Sequence, residues 1–305
     1  MPCHDVMQLS VIVCCHNPRI DYFARVLEAL KAQTLSTDNW ELVVVDNASE
    51  DSVAASYNIS WHPNARHVRE ENLGLTCARL RGIAESSADL LIFVDDDNVL
   101  AENYLDVAVQ IATDWPCLGA WGGQHFPEFE GGAPVEKWKV NQWTSTFSRD
   151  LWSNNYDPRV TPFGAGLCVR RKVAEQYADL VKTHPLRRSL DRKGDNLNSA
   201  GDIDMAFAAC DLGMGLGRFV NLKLDHLIPK GRTNDDYLLR LSEGSGYSQV
   251  ILDALRGIKT SQPRRIDRIA NFLKRLFLEP MERQLAMASE AGRTRAINEL
   301  QQVRK

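Results

Sequence analysis

The chain has 305 residues, 44% of them hydrophobic and 25% charged, with a net charge of −4. That composition excludes a disordered chain and allows one large domain with an appendage, and no apolar run reaches the ~18 residues of a membrane-spanning helix. The opening MPCHDVMQLSVIVCC lacks the basic stretch of a secretory leader, and seven scattered cysteines without a C-x-x-C pair read as reduced thiols rather than a disulfide framework or zinc site. A cytoplasmic protein is expected.

The first half alternates strand and helix patterns. Leu9 to Cys14 is a continuous apolar run, the pattern of a strand buried on both faces. Arg19 to Gln33 places Tyr22, Phe23, Val26, Leu27 and Leu30 at helical spacing. Trp40 to Val45 is a second apolar strand, followed by the turn-rich Asp46-Asn47-Ala48-Ser49. A short strand is expected at Arg66 to Arg69 and a helix over Thr76 to Ser87. Leu90 to Val94 is a further strand, and Glu102 to Ala112 is helical. This order, with short connections, predicts a mostly parallel sheet with right-handed crossovers. Gly119 to Asp157 is rich in Trp, Gly and Phe and weakly periodic, so long loops facing a substrate are expected. Val173 to Val181 reads as helix, His184 to Ser199 as a mobile polar loop, Asp202 to Leu212 as helix and Phe219 to Leu224 as strand. From Tyr237 the pattern is helical to the end. Residues 256–305 carry 12 Lys+Arg against 5 Asp+Glu, so a basic tail follows an acidic body.

Ligands of such sheets bind beyond the carboxyl ends of the strands. Three polar clusters fall there: Cys15-His16-Asn17, Asp46-Asn47 and Asp95-Asp96-Asp97. Three adjacent carboxylates repel one another, and burying one unpaired is costly. Either a hard divalent cation such as Mg2+ or Mn2+ neutralises them, bridging to a phosphate, or they are capping residues at a solvated strand end.

The stretches LSVIVCCHNPR, ELVVVDNASED, ENLGLTCARLRGI and LLIFVDDDN, in this order and spacing, resemble the nucleotide-sugar-binding half of glycosyltransferases with the A-type fold. They are similar to family 2, the large inverting family that includes chitin and cellulose synthases, over roughly Gln8 to Arg232. The resemblance implies an α/β fold: a single Rossmann-like nucleotide-sugar-binding domain with a mostly parallel sheet, plus a helical C-terminal extension. The implied division is 1–235 for the catalytic domain (1–118 nucleotide-binding, 119–235 acceptor-binding with the catalytic base) and 236–305 for the extension.

Residue by residue, the resemblance assigns Cys15, His16 and Asn17 to the loop that contacts the base, where the family more often has Thr-Tyr-Asn. Asp46 matches the aspartate that binds the base. Arg79, in the family's third motif, is expected near base or phosphate, with Leu80 in place of a common asparagine. Asp97 is the expected metal ligand, Asp95 holds ribose or completes the metal shell, and Asp96 belongs to the nucleotide-sugar site. The segment SAGDIDMAFAACDLG resembles the family's Glu-Asp-x-Asp, with Gly201 at the glutamate position. Asp202 aligns with the catalytic base and Asp204 is the alternative. His226, after a late strand, resembles a third metal ligand and leans toward Mn2+. Lys230 and Arg232 are placed to meet diphosphate oxygens. Phe163 to Arg170 resembles the small-residue segment lining the donor and acceptor pocket, and Trp138, Trp143 and Trp152 are either stacking platforms or core.

The implied reaction is metal-dependent, inverting transfer of a sugar from a nucleotide-diphosphate donor to a hydroxyl of a saccharide or lipid-linked acceptor. The carboxylate opposite the leaving group removes the proton as the new bond forms. Polysaccharide assembly is the family-level expectation, and no nucleic-acid partner is expected. A sugar-nucleotidyltransferase has a similar sheet but needs a Gly-rich basic loop after the first strand, and His16-Asn17-Pro18-Arg19 contains no glycine. A non-catalytic nucleotide-sugar-binding protein would lack the carboxylates that stand here. In the tail, Ile266, Ile269, Phe272, Leu273, Leu276 and Phe277 share one helical face among Arg265, Arg268, Lys274 and Arg275. This basic amphipathic helix suits either a peripheral membrane contact at the inner face or packing on the body or in a dimer.

Overall fold

A computed structural model describes residues 7–258, 260–262, 275 and 277–303. In chain order the elements are β1 (Leu9–Cys15), α1 (Ile20–Lys31), β2 (Trp40–Asn47), α2 (Val53–Ser56), β3 (Ala65–Glu70), α3 (Leu75–Glu85), β4 (Leu90–Asp95), β5 (Asn98–Leu100) and α4 (Tyr104–Asp114). Then follow β6 (Leu118–Phe129), α5 (Lys137–Asn141), β7 (Leu151–Ser153), β8 (Leu167–Arg170), α6 (Arg171–Thr183), α7 (Gly201–Asp211), β9 (Gly215–Ile228), α8 (Asp235–Leu255) and α9 (Pro280–Val303). Short 3-10 turns lie at Thr37–Asn39, Pro185–Leu190 and Lys230–Thr233.

β1 and β2 are buried along their whole length, and β4 up to its last residue. A strand covered on both faces has no polar side to alternate with, so each reads as a mostly apolar run, interrupted by Ser10 in β1 and Glu41 in β2. α1 buries Tyr22, Phe23, Val26, Leu27 and Leu30, and four of these join Leu9, Val11 and Val13 in one core cluster. Burying each such side chain contributes roughly 1.5–3 kcal/mol. The strands form one sheet in the order β3-β2-β1-β4-β8-β6-β9-β5, with β7 also on β9. The first four run parallel, as the alternating pattern predicts. β8 is antiparallel to both β4 and β6, β6 and β9 are parallel, and β5 and β7 run antiparallel to β9.

Two compact units result. The first is Met1–Leu180 with Asp202–Pro229, and the second is Val181–Gly201 with Lys230–Lys305. The second unit thus takes in Val181–Gly201 as well as the chain from Lys230 on, where the sequence expectation keeps 181–201 within 119–235. That segment also differs from the mobile polar loop expected at His184 to Ser199. Arg187, Leu190 and Asn198 are buried, Asn198 Nδ2 donates to the Ser189 carbonyl at 2.7 Å, and the Ser199 N–H donates to Ser248 Oγ at 3.1 Å. α8 starts at Asn234, whose side chain accepts the Tyr237 N–H at 2.7 Å. It packs on α9 so closely that a Cβ on Gly246 or Gly292 would collide with the facing backbone carbonyl, of Ser289 and Glu243 respectively. Of the basic amphipathic helix expected in the tail, 263–274 and 276 lie outside the described residues. Among the described residues no helix is long and apolar enough to cross a membrane.

Candidate active site

The aspartate run forms the turn between β4 and β5. Asn98, fully buried, shapes it: its Oδ1 accepts the Asp95 N–H at 3.1 Å and its Nδ2 donates to Asp97 Oδ1 at 2.9 Å. β5 pairs antiparallel with β9 in a register that sets Asn98 opposite His226, and the Leu227 N–H donates to the Asp97 carbonyl at 2.9 Å. That register brings His226 Nε2 to 3.6 Å from Asp97 Oδ2. The Trp143 ring lies edge-on to His226, with centroids 5.7 Å apart. Among the described residues no group of three His, Cys, Asp or Glu side chains is set to hold a metal ion. The pair offers one oxygen and one imidazole nitrogen, a donor set that fits Mn2+ when phosphate oxygens complete the shell.

The loops after β1 and β2 are laced together. His16 Nδ1 lies 2.8 Å from the Asn47 carbonyl, and since a carbonyl only accepts, the proton sits on Nδ1. Asn17 and Ala48 both adopt positive φ, 47° and 54°. The Asn17 N–H donates to Ser49 Oγ at 2.9 Å, and Asn17 Oδ1 accepts the Glu50 N–H at 2.8 Å. Cys15 is buried; burial first, then the neighbouring Asp96, raise its pKa far above the ordinary thiol value, so it carries no thiolate. Asp46 is also buried, and its oxygens accept from the Ser49 N–H at 3.0 Å, the Val53 N–H at 3.4 Å and Arg69 Nη1 at 2.8 Å. Burial pushes its pKa up, but the hydrogen bonds from Ser49, Val53 and Arg69 outweigh it and hold the carboxyl below the usual range. Asn47 ties the third motif to this edge: Nδ2 donates to the Glu70 and Asn72 carbonyls, and Oδ1 accepts the Gly74 N–H at 2.8 Å.

On the other side, Asp202 opens α7 with its carboxylate partly exposed, whereas Asp204, two residues on, is fully buried. Asp202 Oδ2 accepts the Gly164 N–H at 2.7 Å and Oδ1 the Ile203 N–H at 2.9 Å. Gly164 is where three groups meet. A Cβ there would stand 2.8 Å from Arg79 Nη2 and 3.0 Å from both Cβ and Oδ2 of Asp202. The buried guanidinium of Arg79 is therefore a neighbour of Asp202. Gly201 is glycine for a related reason: the Asp191 carboxylate fills the space its side chain would need.

An aromatic wall runs beside these groups, with Phe163 next in chain to Gly164 and Trp143 edge-on to His226. His125 is buried, and its ring centroid is 5.5 Å from that of Phe163, which is 44% exposed. Burial, then the charges of His226 and Arg218, lower the His125 pKa to about 3, so the ring is neutral. Trp143 is buried within this wall, while Trp152 is exposed and leans on Trp115, and Trp138 lies beside the Lys139 ammonium. Lys230 and Arg232 occupy the 3-10 turn that opens the later segment of the second unit. Sequence reasoning placed Asn47 in a strand-end cluster without its bracing role, and missed Asn98, His125 and Asp191. Only Asn98 carried a visible signal, an amide directly after three carboxylates.

Residues 10–178 match the model of a family described as glycosyl transferase family 2. A glucosyl-dolichyl phosphate glucuronosyltransferase of Haloferax volcanii is 22% identical over 252 residues, covering 82% of this chain and 78% of that protein. Among solved structures, the mannosyltransferase PcManGT of Pyrobaculum calidifontis, in complex with GDP-Man and Mn2+, superposes with a TM-score of 0.55 at 19% identity, covering 93% of this chain and 73% of that one. The S. aureus TarS fragment 1-349 in complex with UDP gives a TM-score of 0.50 at 14% identity over 96% and 88% of the two chains.

Proposed function

The chain belongs to glycosyltransferase family 2, and on that premise we propose an inverting, metal-dependent transfer of a hexose from a nucleotide-diphosphate donor to a hydroxyl of a saccharide or lipid-linked acceptor. The observation that carries this reading is the setting of Asp202: a partly exposed carboxylate, aimed by the Gly164 and Ile203 N–H groups, with a guanidinium beside it. Asp202 takes the proton of the acceptor hydroxyl as that oxygen bonds the anomeric carbon and the bond to the diphosphate breaks. Attack from the face opposite the leaving group inverts the anomeric configuration. Asp204, fully buried, is closed to an acceptor hydroxyl.

On the leaving-group side, Asp97 and His226 would hold the divalent ion, and Asp95 is assigned to ribose or the metal shell by the family pattern alone. A bound ion supplies positive charge to the departing diphosphate. Cys15, His16, Asn17 and Asp46 frame the base pocket through the laced loops, and Arg79 brings its charge toward the reacting groups. By the family pattern, Lys230 and Arg232 are assigned to the diphosphate and Asp96 to the nucleotide-sugar site. The complexes of PcManGT with GDP-Man and Mn2+ and of TarS with UDP are in keeping with a nucleotide-sugar donor, and the name of the Haloferax relative with a lipid-phosphate-linked acceptor.

Thermal shift with a panel of nucleoside diphosphates, with and without Mn2+, tests the reading. At least one nucleotide is expected to stabilise the protein, and more so with the metal; no stabilisation by any of them would overturn it. Asp202→Asn is expected to abolish transfer and leave nucleotide stabilisation intact, whereas retained turnover would move the base to Asp204.

A further inference from the structure

Arg218 is a cation without an acid. It lies on β9, half-buried, with its guanidinium 4.5 Å from the ring centroid of Phe147 and 5.2 Å from that of Phe163. Its hydrogen bonds go to neutral oxygens, the Ser145 hydroxyl and, at 3.4 Å, the Arg159 carbonyl. Among the described residues no carboxylate pairs with it, and its buried Nε has no hydrogen-bond partner. Burial lowers its pKa with no acidic neighbour to offset the effect. A guanidinium drawn partly out of water without a counter-charge is costly, and the second hydrogen of each Nη, not taken by Ser145 or the Arg159 carbonyl, is a donor for an anion.

The ring that Arg218 shares is the exposed one. Phe163 is 44% exposed and backed by His125, and the next residue, Gly164, donates its N–H to Asp202. An apolar face, with an acid-free cation against it, therefore stands one residue from Gly164, whose N–H binds the group assigned as base. We infer that Phe163 and Arg218 form an acceptor subsite for a sugar bearing an anionic substituent, a carboxylate or a phosphate, with the pyranose ring on Phe163 and the anion on the Arg218 guanidinium. The inference rests on Asp202 being the base, which fixes this side of the site as the acceptor side. A neutral sugar would use only the ring, and an anionic one gains charge-assisted hydrogen bonds as well.

The test is an NMR titration of the full chain with methyl β-D-glucuronide, glucose 6-phosphate and methyl β-D-glucoside. One or both anionic sugars are expected to bind about tenfold tighter than the neutral glycoside. Which of the two is preferred tells carboxylate from phosphate. Arg218→Gln should erase the preference, and Phe163→Ala, at an exposed position, should weaken all three. Equal binding of the three sugars, no binding of any, or a preference that survives Arg218→Gln would overturn the inference. Nucleotide thermal shifts on the same proteins separate the two levels. Nucleotide stabilisation without sugar preference sinks the subsite alone, while absence of nucleotide stabilisation sinks the transferase reading beneath it.

Discussion

Replacing Gly164 by alanine puts a methyl group where Arg79 and Asp202 meet. The new carbon would lie 2.8 Å from Arg79 Nη2 and 3.0 Å from Asp202 Cβ and Oδ2. Comfortable contacts begin near ~3.5 Å, so each group must retreat by roughly half an ångström. The 2.7 Å bond from the Gly164 N–H to Oδ2 stretches or breaks, and a hydrogen bond to a charged group contributes about 1.5–3 kcal/mol. Displacing a base by this order of distance costs about 100-fold in rate. Overpacking should cost only about 1 kcal/mol of stability, a Tm loss of about 2–4 °C. The assay is release of nucleoside diphosphate from the donor sugar nucleotide in the presence of acceptor, alongside nucleotide thermal shift. We expect kcat to fall about 100-fold with nucleotide stabilisation unchanged. Wild-type kcat, or a loss of nucleotide binding in step with kcat, would refute the argument that Gly164 serves the base.

Three further outcomes are expected. Gly201→Ala drives a Cβ into the Asp191 carboxylate and should destabilise by about 1–3 kcal/mol in urea unfolding. Asp191→Ala should relieve that penalty, and strict additivity in the double-mutant cycle would count against the steric account. Asn98→Ala removes both bonds that shape the aspartate turn, so the extra nucleotide stabilisation given by Mn2+ should shrink while the metal-free increment persists. Loss of both increments alike would place Asn98 outside metal binding. His62 accepts the Asn64 N–H on Nδ1 at 3.1 Å and packs on Trp40 with ring centroids 4.1 Å apart, so it is neutral in the fold; burial lowers its pKa to about 4 against an opposing push from Asp38. Its folded pKa lies below the unfolded value near ~6.5, so the unfolded chain protonates first: the full stability present above pH ~6.5 falls toward pH 4 by up to about 1.4 kcal/mol per pH unit. His62→Gln should flatten that slope, and identical slopes for the two proteins would rule His62 out.

The first half of the fold was legible because its physics is local. β1, β2 and β4 are covered on both faces and show as apolar runs, and α1 shows its buried stripe at helical spacing. β6 was not legible. Its sequence LGAWGGQHFPEF carries three glycines and a proline, poor strand formers, yet a Cβ on Gly123 would collide with the Leu222 carbonyl on β9. Packing against a strand distant in sequence decides that segment. The same holds for the site. Aspartates at strand ends were visible as composition. The Asn98–His226 register, the Gly164–Asp202 bond and the Asp191 carboxylate behind Gly201 join residues far apart in the chain, and no periodicity announces them.

Asp96 and Asp97 alone connect β4 to β5, although β8, β6 and β9 stand between those strands in the sheet. Two residues span only about 7 Å, and three intervening strands would occupy far more than that if the sheet were flat. The sheet must fold back on itself, with the aspartates as its clasp. Residues 1–118 include all three carboxylates and every parallel strand from β1 to β4, yet they lack the strand that anchors β5 and supplies His226. The Asp97–His226 pair therefore exists only where β5 and β9 have joined, so it reports the closure of the whole sheet.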